Sequence, residues 1–522
     1  MNSNKEVNNN LKLPPIFQDG MILQKDTPIH VWGKYIPNTN IQISIENDSV
    51  TTVTDTEGSF KANLSQHPAN NGIALIFKSN NIILKSINIK IGEVWLLAGQ
   101  SNMDFNLLYD STYQKNPNHV TTILTTAGDI SFFEVPKKIK LNSKIDMKNH
   151  PGEWHKLNKD NAKFFSAIGY YFGIKLSNKI PKCPIGLIWM TYGGTTASAW
   201  ISKDALTSDS VLNKTYIQSY EHLLTTRPVD GYENFLKTVA RQNKNPEIEP
   251  FWSKVLAGKI DHDTLQKAFD QHHELFVDYV LGPESENRPH GLFDTMVSTI
   301  YGYRVRAILW YQGESDDQHA EAYDYLLLAL INNWRTLWGY KIPFLIMQLA
   351  PFEHWFGSFK GEFYPEIRQK QANIADTVSA VYLTNIMDDG ARFDIHPKNK
   401  SLAAERFFLL ASDKIYNYIQ NGQTSKIIKH TVIENNILLM FDNCTQLELN
   451  PLLTRKVLFV KVNGTTTIID KISSKINILT ISLHSNIKVS DSICVYYQQQ
   501  PYSHASIFNE NNIPIRPFKI SL

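Results

Sequence analysis

Gly92-Glu93-Val94-Trp95-Leu96-Leu97-Ala98-Gly99-Gln100-Ser101-Asn102-Met103 is the stretch from which the fold is read. Val94 to Ala98 are apolar without a break, which fits a strand covered on both faces rather than one with a wet side. The run ends in a polar turn, Gly99-Gln100-Ser101-Asn102. The same form recurs at Ile185-Gly186-Leu187-Ile188-Trp189-Met190, Val305-Arg306-Ala307-Ile308-Leu309-Trp310, Phe344-Leu345-Ile346-Met347-Gln348-Leu349 and Val381-Tyr382-Leu383. Helical patterns separate these runs, so the expectation is an α/β domain whose parallel sheet is covered by helices on both sides.

One such helix is read from Glu321 to Trp338, where Tyr323, Leu326, Leu327, Leu330, Ile331, Trp334 and Trp338 recur at helical spacing. A further helix is read from Ser401 to Tyr418. Residues 201–288 are polar and helical in pattern, and they read as an insertion lying over the sheet edge or the site. Both ends of the chain read as β. Ile29-His30-Val31-Trp32-Gly33 and Ile41-Gln42-Ile43-Ser44-Ile45 alternate apolar and polar residues, as half-buried strands do. Val457-Leu458-Phe459-Val460, Ile476 to Ile481 and Ile493 to Tyr497 suggest a second small sandwich. The expected domains are residues 1–90 (β-sandwich), 91–420 (α/β, with the insertion) and 421–522 (β-rich).

A chain of 522 residues with 42 % hydrophobic residues has material for several cores, which excludes global disorder. Lys and Arg number 52 against 50 Asp and Glu, a balance that argues against a dedicated nucleic-acid binder. The cysteines are Cys183, Cys444 and Cys494, too few and too dispersed for a disulfide framework or a cysteine-rich zinc site. The first ten residues hold no apolar core of a secretory signal, and no window is long and apolar enough for a membrane span, so the expectation is a cytoplasmic protein that binds neither membrane nor nucleic acid. Homo-oligomerisation stays open.

In an open α/β sheet, ligands bind beyond the carboxyl ends of the strands. Ser101 on such an end is a candidate nucleophile or, more blandly, a helix cap. Sixteen histidines could serve as its base. His396 is preferred because it follows the last expected sheet strand, with Asp394 placed to orient its ring. Gln312, in Trp310-Tyr311-Gln312-Gly313-Glu314-Ser315-Asp316-Asp317, ends another strand and has an amide able to donate to an oxyanion. Ser315 is a rival nucleophile, and Glu314 with Asp316 or Asp388 a rival glycosidase pair. Tyr192-Gly193-Gly194-Thr195-Thr196 ends a further strand, where glycines would expose a backbone donor. Asp261-His262-Asp263 and His272-His273-Glu274 lack the spacing of a metalloprotease motif and read as solvated helix faces.

Together these residues resemble the sialate O-acetylesterase-like family of SGNH-type carbohydrate esterases. Gly99-Gln100-Ser101-Asn102-Met103, Gly193-Gly194-Thr195 with Trp200, Trp310 to Asp316 and Asp394-Ile395-His396-Pro397 occur in the family's order. Phe17 to Gln24, Val31-Trp32-Gly33 and Phe165 to Phe172 are similar as well. The resemblance implies an SGNH/flavodoxin-like three-layer α/β/α domain with β-sandwich segments at both ends. It implies Ser101 as nucleophile, His396 as base and oxyanion donors from Ser101, Gly193 or Gly194, and Gln312. The triad acid matches Asp394, with Asp388 or Asp389 as fallback, because Phe393 stands where many SGNH enzymes carry Asp. Asn102, Trp200, Tyr311 and Glu314 are the candidate substrate contacts. The implied reaction is hydrolysis of an O-acetyl ester on a sugar, with no metal or organic cofactor. A glycosidase built on Glu314 and a non-catalytic carbohydrate-binding protein are the alternatives.

Overall fold

In the computed structural model, which describes residues 10–139, 151–276, 281–488 and 490–522, the opening stretch is the second half of one long strand, β1 (Ile82–Gly99). Its first half alternates between buried and exposed residues, and its second half is buried throughout. The expected boundary near residue 90 thus falls inside a continuous strand. Up to Ile91 it pairs antiparallel with Asn70–Ser79 in the amino-terminal β segment. Beyond that it is a central strand of a parallel sheet.

The other parallel strands are β2 (Ile130–Glu134), β3 (Ile185–Thr191), β4 (Ala307–Tyr311), β5 (Phe344–Gln348) and β6 (Val381–Asn385). Their spatial order is 2-3-1-4-5-6. The chain therefore leaves β1 on one side, returns through β3, and crosses to β4 on the other side. A crevice opens at such a reversal, outside the carboxyl ends of the strands.

Register and side-chain contacts define three layers. Trp95 and Leu97 point to one face of β1. Trp95 packs on Phe172 at 4.8 Å, and Leu97 lies under Gly169, both on helix α1 (Ala167–Lys179). Trp310 pairs in register with Ala98, so it points to the other face. There it meets Trp334 of helix α2 (Tyr323–Trp338) edge-on at 5.8 Å. Such a pair adds about 0.5–1.5 kcal/mol beyond the area it buries. The whole apolar stripe of α2 is buried as the spacing requires, and Gly339 ends the helix in the left-handed conformation. Helix α3 (Tyr364–Thr377) packs beside α2, and helix α4 (Lys400–Lys414) beside α1.

The flanking β segments brace both ends of this sheet. At the amino ends of the strands, Glu93 is buried and receives two hydrogen bonds of 2.8 Å from Arg306. Gln24 of the amino-terminal segment accepts from the Val94 amide at 2.8 Å. The carboxy-terminal segment has its own core, including Ile437, Leu439, Val460, Ile481, Val495 and Tyr497. It docks through Arg368 on α3, a buried guanidinium that donates to the carbonyls of Leu349 and Ala350 behind β5 and to Gln500 and Pro501. Burial lowers this Arg to about 10. The C-terminal segment thereby holds the end of β5, from which the loop toward the site departs. The insertion forms helices, among them α-helical Val229–Gln242, Ile248–Leu256 and His262–Gln271. No described helix is long and apolar enough to cross a membrane.

Candidate active site

Three strand ends lie level. Gly99 pairs with Thr191 of β3 on one side and with Tyr311 of β4 on the other. Two residues past this line each chain carries a motif expected from sequence: Ser101, Gly193 and Gly313. Backbone bonds hold the line together, with Tyr192 N donating to Gly99 O at 3.1 Å and Gln100 N to Tyr311 O at 3.2 Å. Ser101 opens a short helix, Ser101–Asp104, capped by Gln100 in extended conformation. Gly193 faces it: a Cβ placed there would sit 3.5 Å from Ser101 Cβ. The Gly193-Gly194 turn is pinned by Asn287, which donates to Gly194 O and accepts from Thr196 N, both at 2.8 Å.

His396 reaches this rim from the loop after β6. One amide ties the two catalytic candidates together: Asn102 Nδ2, on the residue after Ser101, donates to the carbonyl of Ile395, the residue before His396, at 3.1 Å. The imidazole is 5 % exposed and lies between Trp355, edge-on at 5.1 Å, and Phe105 at 5.9 Å. Burial disfavours the imidazolium and pulls His396 down to about 4, against the opposing pull of Asp394. Asp394 Oδ1 lies 3.6 Å from His396 Nδ1 and accepts from the His396 backbone N–H at 2.8 Å. Its other oxygen meets Lys398 Nζ at 2.8 Å. Burial pushes the Asp394 carboxyl up, but His396 and Lys398 outweigh it and leave it below the ordinary value. The fallback acids stand elsewhere. Asp388 pairs with Arg406 at 2.8 Å, and Asp389 is half-buried and raised to about 7 by desolvation.

A neutral imidazole at neutral pH is the form a general base requires. The acid limb of kcat/KM on an aryl acetate is therefore expected well below the ordinary histidine range, with activity held from pH 7 to near pH 5 and lost toward about pH 4. A limb at pH 6.5 or above, measured over a full pH series, contradicts this reading of the His396 environment.

Several expectations need correction. Gln312 does not offer its amide to the crevice. It is fully buried, and both hydrogens of Nε2 are engaged, by Thr195 O at 3.1 Å and Asp316 Oδ2 at 2.5 Å. Its Oε1 accepts from Tyr323 OH, so the amide is fastened at both ends. Gln312 thus braces the Gly193-Gly194-Thr195 turn, and the donors beside Ser101 are backbone groups. Trp200 and Tyr311 are fully buried and present no face to a sugar; Trp200 Nε1 donates to Thr195 Oγ1 at 3.1 Å. Asn102 is 1 % exposed and makes internal bonds only to protein groups. Glu314 is 7 % exposed, accepts from Asn102 at 2.5 Å, and is raised by burial. Asp316 accepts from Gln312 and Ala197 N and is raised to about 7 by burial. Both carboxyl groups are thus buried behind the rim, and Asp388 is paired with Arg406, whereas a glycosidase pair must flank the sugar bond it cleaves. Ser315 Oγ accepts from Gln100 Nε2 at 3.2 Å, and Gln100 Oε1 takes the Gly313 and Ser315 backbone N–H groups, so the Gln100 side chain locks the turn that carries Ser315.

The insertion meets this site on the His396 side. Val255, Leu265 and Phe276 form a satellite core with Phe356, and Trp252 packs on Trp355 at 5.8 Å. His262 contacts His354 at 3.2 Å, and its ring lies on Phe393 at 4.6 Å. Lys398 Nζ donates to Val255 O at 3.4 Å. The aromatic run Phe352 to Phe363 is the signal that sequence reading passed over: it has neither strand nor helix period, yet it supplies the ring against the His396 imidazole.

Residues 286–403 match the family model for carbohydrate esterases described as sialic acid-specific acetylesterases. Sialate O-acetylesterase of Rattus norvegicus is 24 % identical over 358 residues, covering 65 % of this chain and 59 % of that protein. The Homo sapiens protein of the same name is 23 % identical over 361 residues, covering 64 % of this chain and 56 % of that protein. The chain thus spans less than two thirds of the length of these relatives. A solved carbohydrate acetylesterase from Xanthomonas citri shares the fold with a TM-score of 0.70 at 22 % identity, covering 98 % of this chain and 99 % of that one. Over residues 286–403 the chain is similar in sequence to the sialic acid-specific acetylesterases, and its fold is that of a solved carbohydrate acetylesterase.

Proposed function

We propose that this chain is a serine esterase that removes O-acetyl groups from a sugar. The observation that carries the proposal is the level meeting of Gly99, Thr191 and Tyr311, with the residues flanking Ser101 and His396 joined by one hydrogen bond. In the proposed reaction His396 takes the Ser101 hydroxyl proton as Oγ attacks the acetyl carbonyl. The Ser101 N–H opens its short helix, where the first amides have no intrahelical partner, and with the Gly193-Gly194 backbone it supports the developing oxyanion. His396 then returns the proton to the departing sugar oxygen. Water, deprotonated by the same ring, releases acetate and frees Ser101. Asp394 keeps the ring oriented and supports its charged form.

The sugar is assigned to the aromatic side of the rim. Trp355 is half-buried against His396; Phe359, 6.2 Å from the Trp355 ring, and Phe393, against His262, are 47 % and 44 % exposed. Faces of this kind suit the apolar side of a pyranose. The test is acetate release from O-acetylated sialic acids and acetylated plant-type oligosaccharides, with Ser101→Ala run in parallel. Absence of release from every sugar, or release unchanged in Ser101→Ala, overturns the proposal. Trp355→Ala is expected to raise KM for the acetylated sugar about threefold to tenfold, the worth of one aromatic contact. It should also move the acid limb toward the ordinary histidine value, because water then reaches the imidazole. Unchanged KM and unchanged limb place the sugar elsewhere.

A further inference from the structure

Behind Ser101 and His396 lies a buried polar link that the proton transfers do not use. Lys400 opens α4 and is fully buried. Its ammonium donates to Asn102 Oδ1 at 2.5 Å. Asn102 Nδ2 donates in turn to Glu314 Oε1 at 2.5 Å and to Ile395 O at 3.1 Å. An ammonium only donates, and a carboxylate and a carbonyl only accept. The Asn102 amide therefore has one workable orientation, and a flip would set donor against donor and acceptor against acceptor. Asn102 follows Ser101 directly, and Ile395 precedes His396 directly.

We propose that Lys400 is a positioning residue: by holding the Asn102 amide in this orientation, it sets how the serine turn and the histidine loop face each other. The proposal rests on the esterase reading of the same site. Lys400 is well placed for the task. Its backbone N–H donates to Asp110 Oδ2 at 2.8 Å, and Asp110 also caps the helix Ser111–Lys115. Its ammonium lies over the Phe105 ring at 4.7 Å and near the Tyr311 ring at 5.8 Å, so aromatic walls fix its path. A buried ammonium is costly where no donor is needed, and here its donor faces the one amide that spans three loops.

The charges around it supply a second readout. Burial pulls Lys400 down to about 7, Lys398 adds to this, and Glu314, Asp389 and Asp394 oppose it. The charges acting on His396 are Asp394, Lys398 and Lys400. Removing the Lys400 charge makes the imidazolium easier to form, so the acid limb must rise. Packing filler at position 400 would have no such effect.

The experiment compares Lys400→Met, Asn102→Ala and their combination on an aryl acetate, with thermal melts alongside. Each single variant is expected to lose about 10–100-fold in kcat, the usual cost of removing a group that orients a reacting one. KM should stay within about threefold, since the lost interaction is not with substrate. The double variant should be no worse than the weaker single by more than about threefold, because both act through one link. Lys400→Met should also shift the acid limb upward. Asn102→Asp keeps the acceptor for Lys400 but lacks hydrogens for Glu314 and Ile395. It should lose kcat as Asn102→Ala does, and it decides the matter if Lys400→Met does not fold. Wild-type kcat and an unshifted limb in Lys400→Met, or losses that multiply in the double variant, overturn the proposal. If instead the wild type cleaves no ester, or Ser101→Ala is unimpaired, the esterase reading itself has failed.

Discussion

Ser101→Ala is expected to lower kcat on acetylated sugars by about 10⁴–10⁶-fold, the range seen when a triad nucleophile is removed. The reason is chemical: alanine has no atom that can form the acyl-enzyme. Ser315 is the nearest substitute by sequence, yet its hydroxyl is held by Gln100 in the turn after β4. Asp316 and Glu314 are buried and bonded within the wall. What should survive is equally definite. Alanine suits the first turn of Ser101–Asp104, so the melting curve should match the parent. KM for the sugar should change by no more than about threefold, because the rings assigned to the sugar lie on the His396 side. Steady-state kinetics and a thermal melt check all three, and a phosphonate label on the parent protein tests Ser101 directly. Residual turnover within about 10²-fold of the parent moves the nucleophile elsewhere, since an oxyanion donor alone accounts for losses of that size.

The parallel sheet was legible because its strands are apolar on both faces, a pattern that few other structures require. The stripe of α2 was legible from its helical spacing, and the seven residues read from that spacing are all buried. β2 escaped notice: Ile130–Glu134 is short, holds Ser131 and Glu134, and is recognisable as a strand only once β3 pairs with it. The expected boundary near 90 falls where β1 changes neighbours, near Ile91, and the backbone runs through it without a break because one strand can serve two sheets. At the site, residues at strand ends could be named because the sheet levels them. The substrate contacts could not. Trp200 and Tyr311 sit in motifs, which gives them position but not exposure, and both prove to be core. Gln312 shows the same limit, since an amide can donate to an oxyanion or to a neighbouring turn and only packing selects between them. Lys400 carried no signal at all. In Pro397-Lys398-Asn399-Lys400 two lysines look alike, yet Lys398 is at the rim and Lys400 is sealed beneath Phe105.

Gly99→Ala should be among the most damaging single substitutions in the catalytic sheet. Gly99 has φ +138°, which side-chain-bearing residues rarely adopt. A Cβ there would stand 2.1 Å from the Tyr311 carbonyl oxygen and 2.8 Å from its carbon. Those atoms belong to β4 in the sheet centre, and the oxygen already accepts from Gln100 N. Relief therefore requires β1 and β4 to separate at the point where Ser101 is aimed. Backbone strain costs about 1–3 kcal/mol and overpacking costs a similar amount, together a large share of the roughly 5–15 kcal/mol that holds a domain folded. A shift of about 1 Å at Ser101 would also cost about 10²-fold in rate. Gly194→Ala separates the two contributions. It has φ +73° but open space where its Cβ would lie, so only the strain applies. Urea unfolding followed by tryptophan fluorescence should show a loss of about 1–2 kcal/mol for Gly194→Ala and a loss of several for Gly99→Ala. Equal losses would mean that the Tyr311 contact relaxes freely. The levelling of β1 and β4 would then not be what aims Ser101.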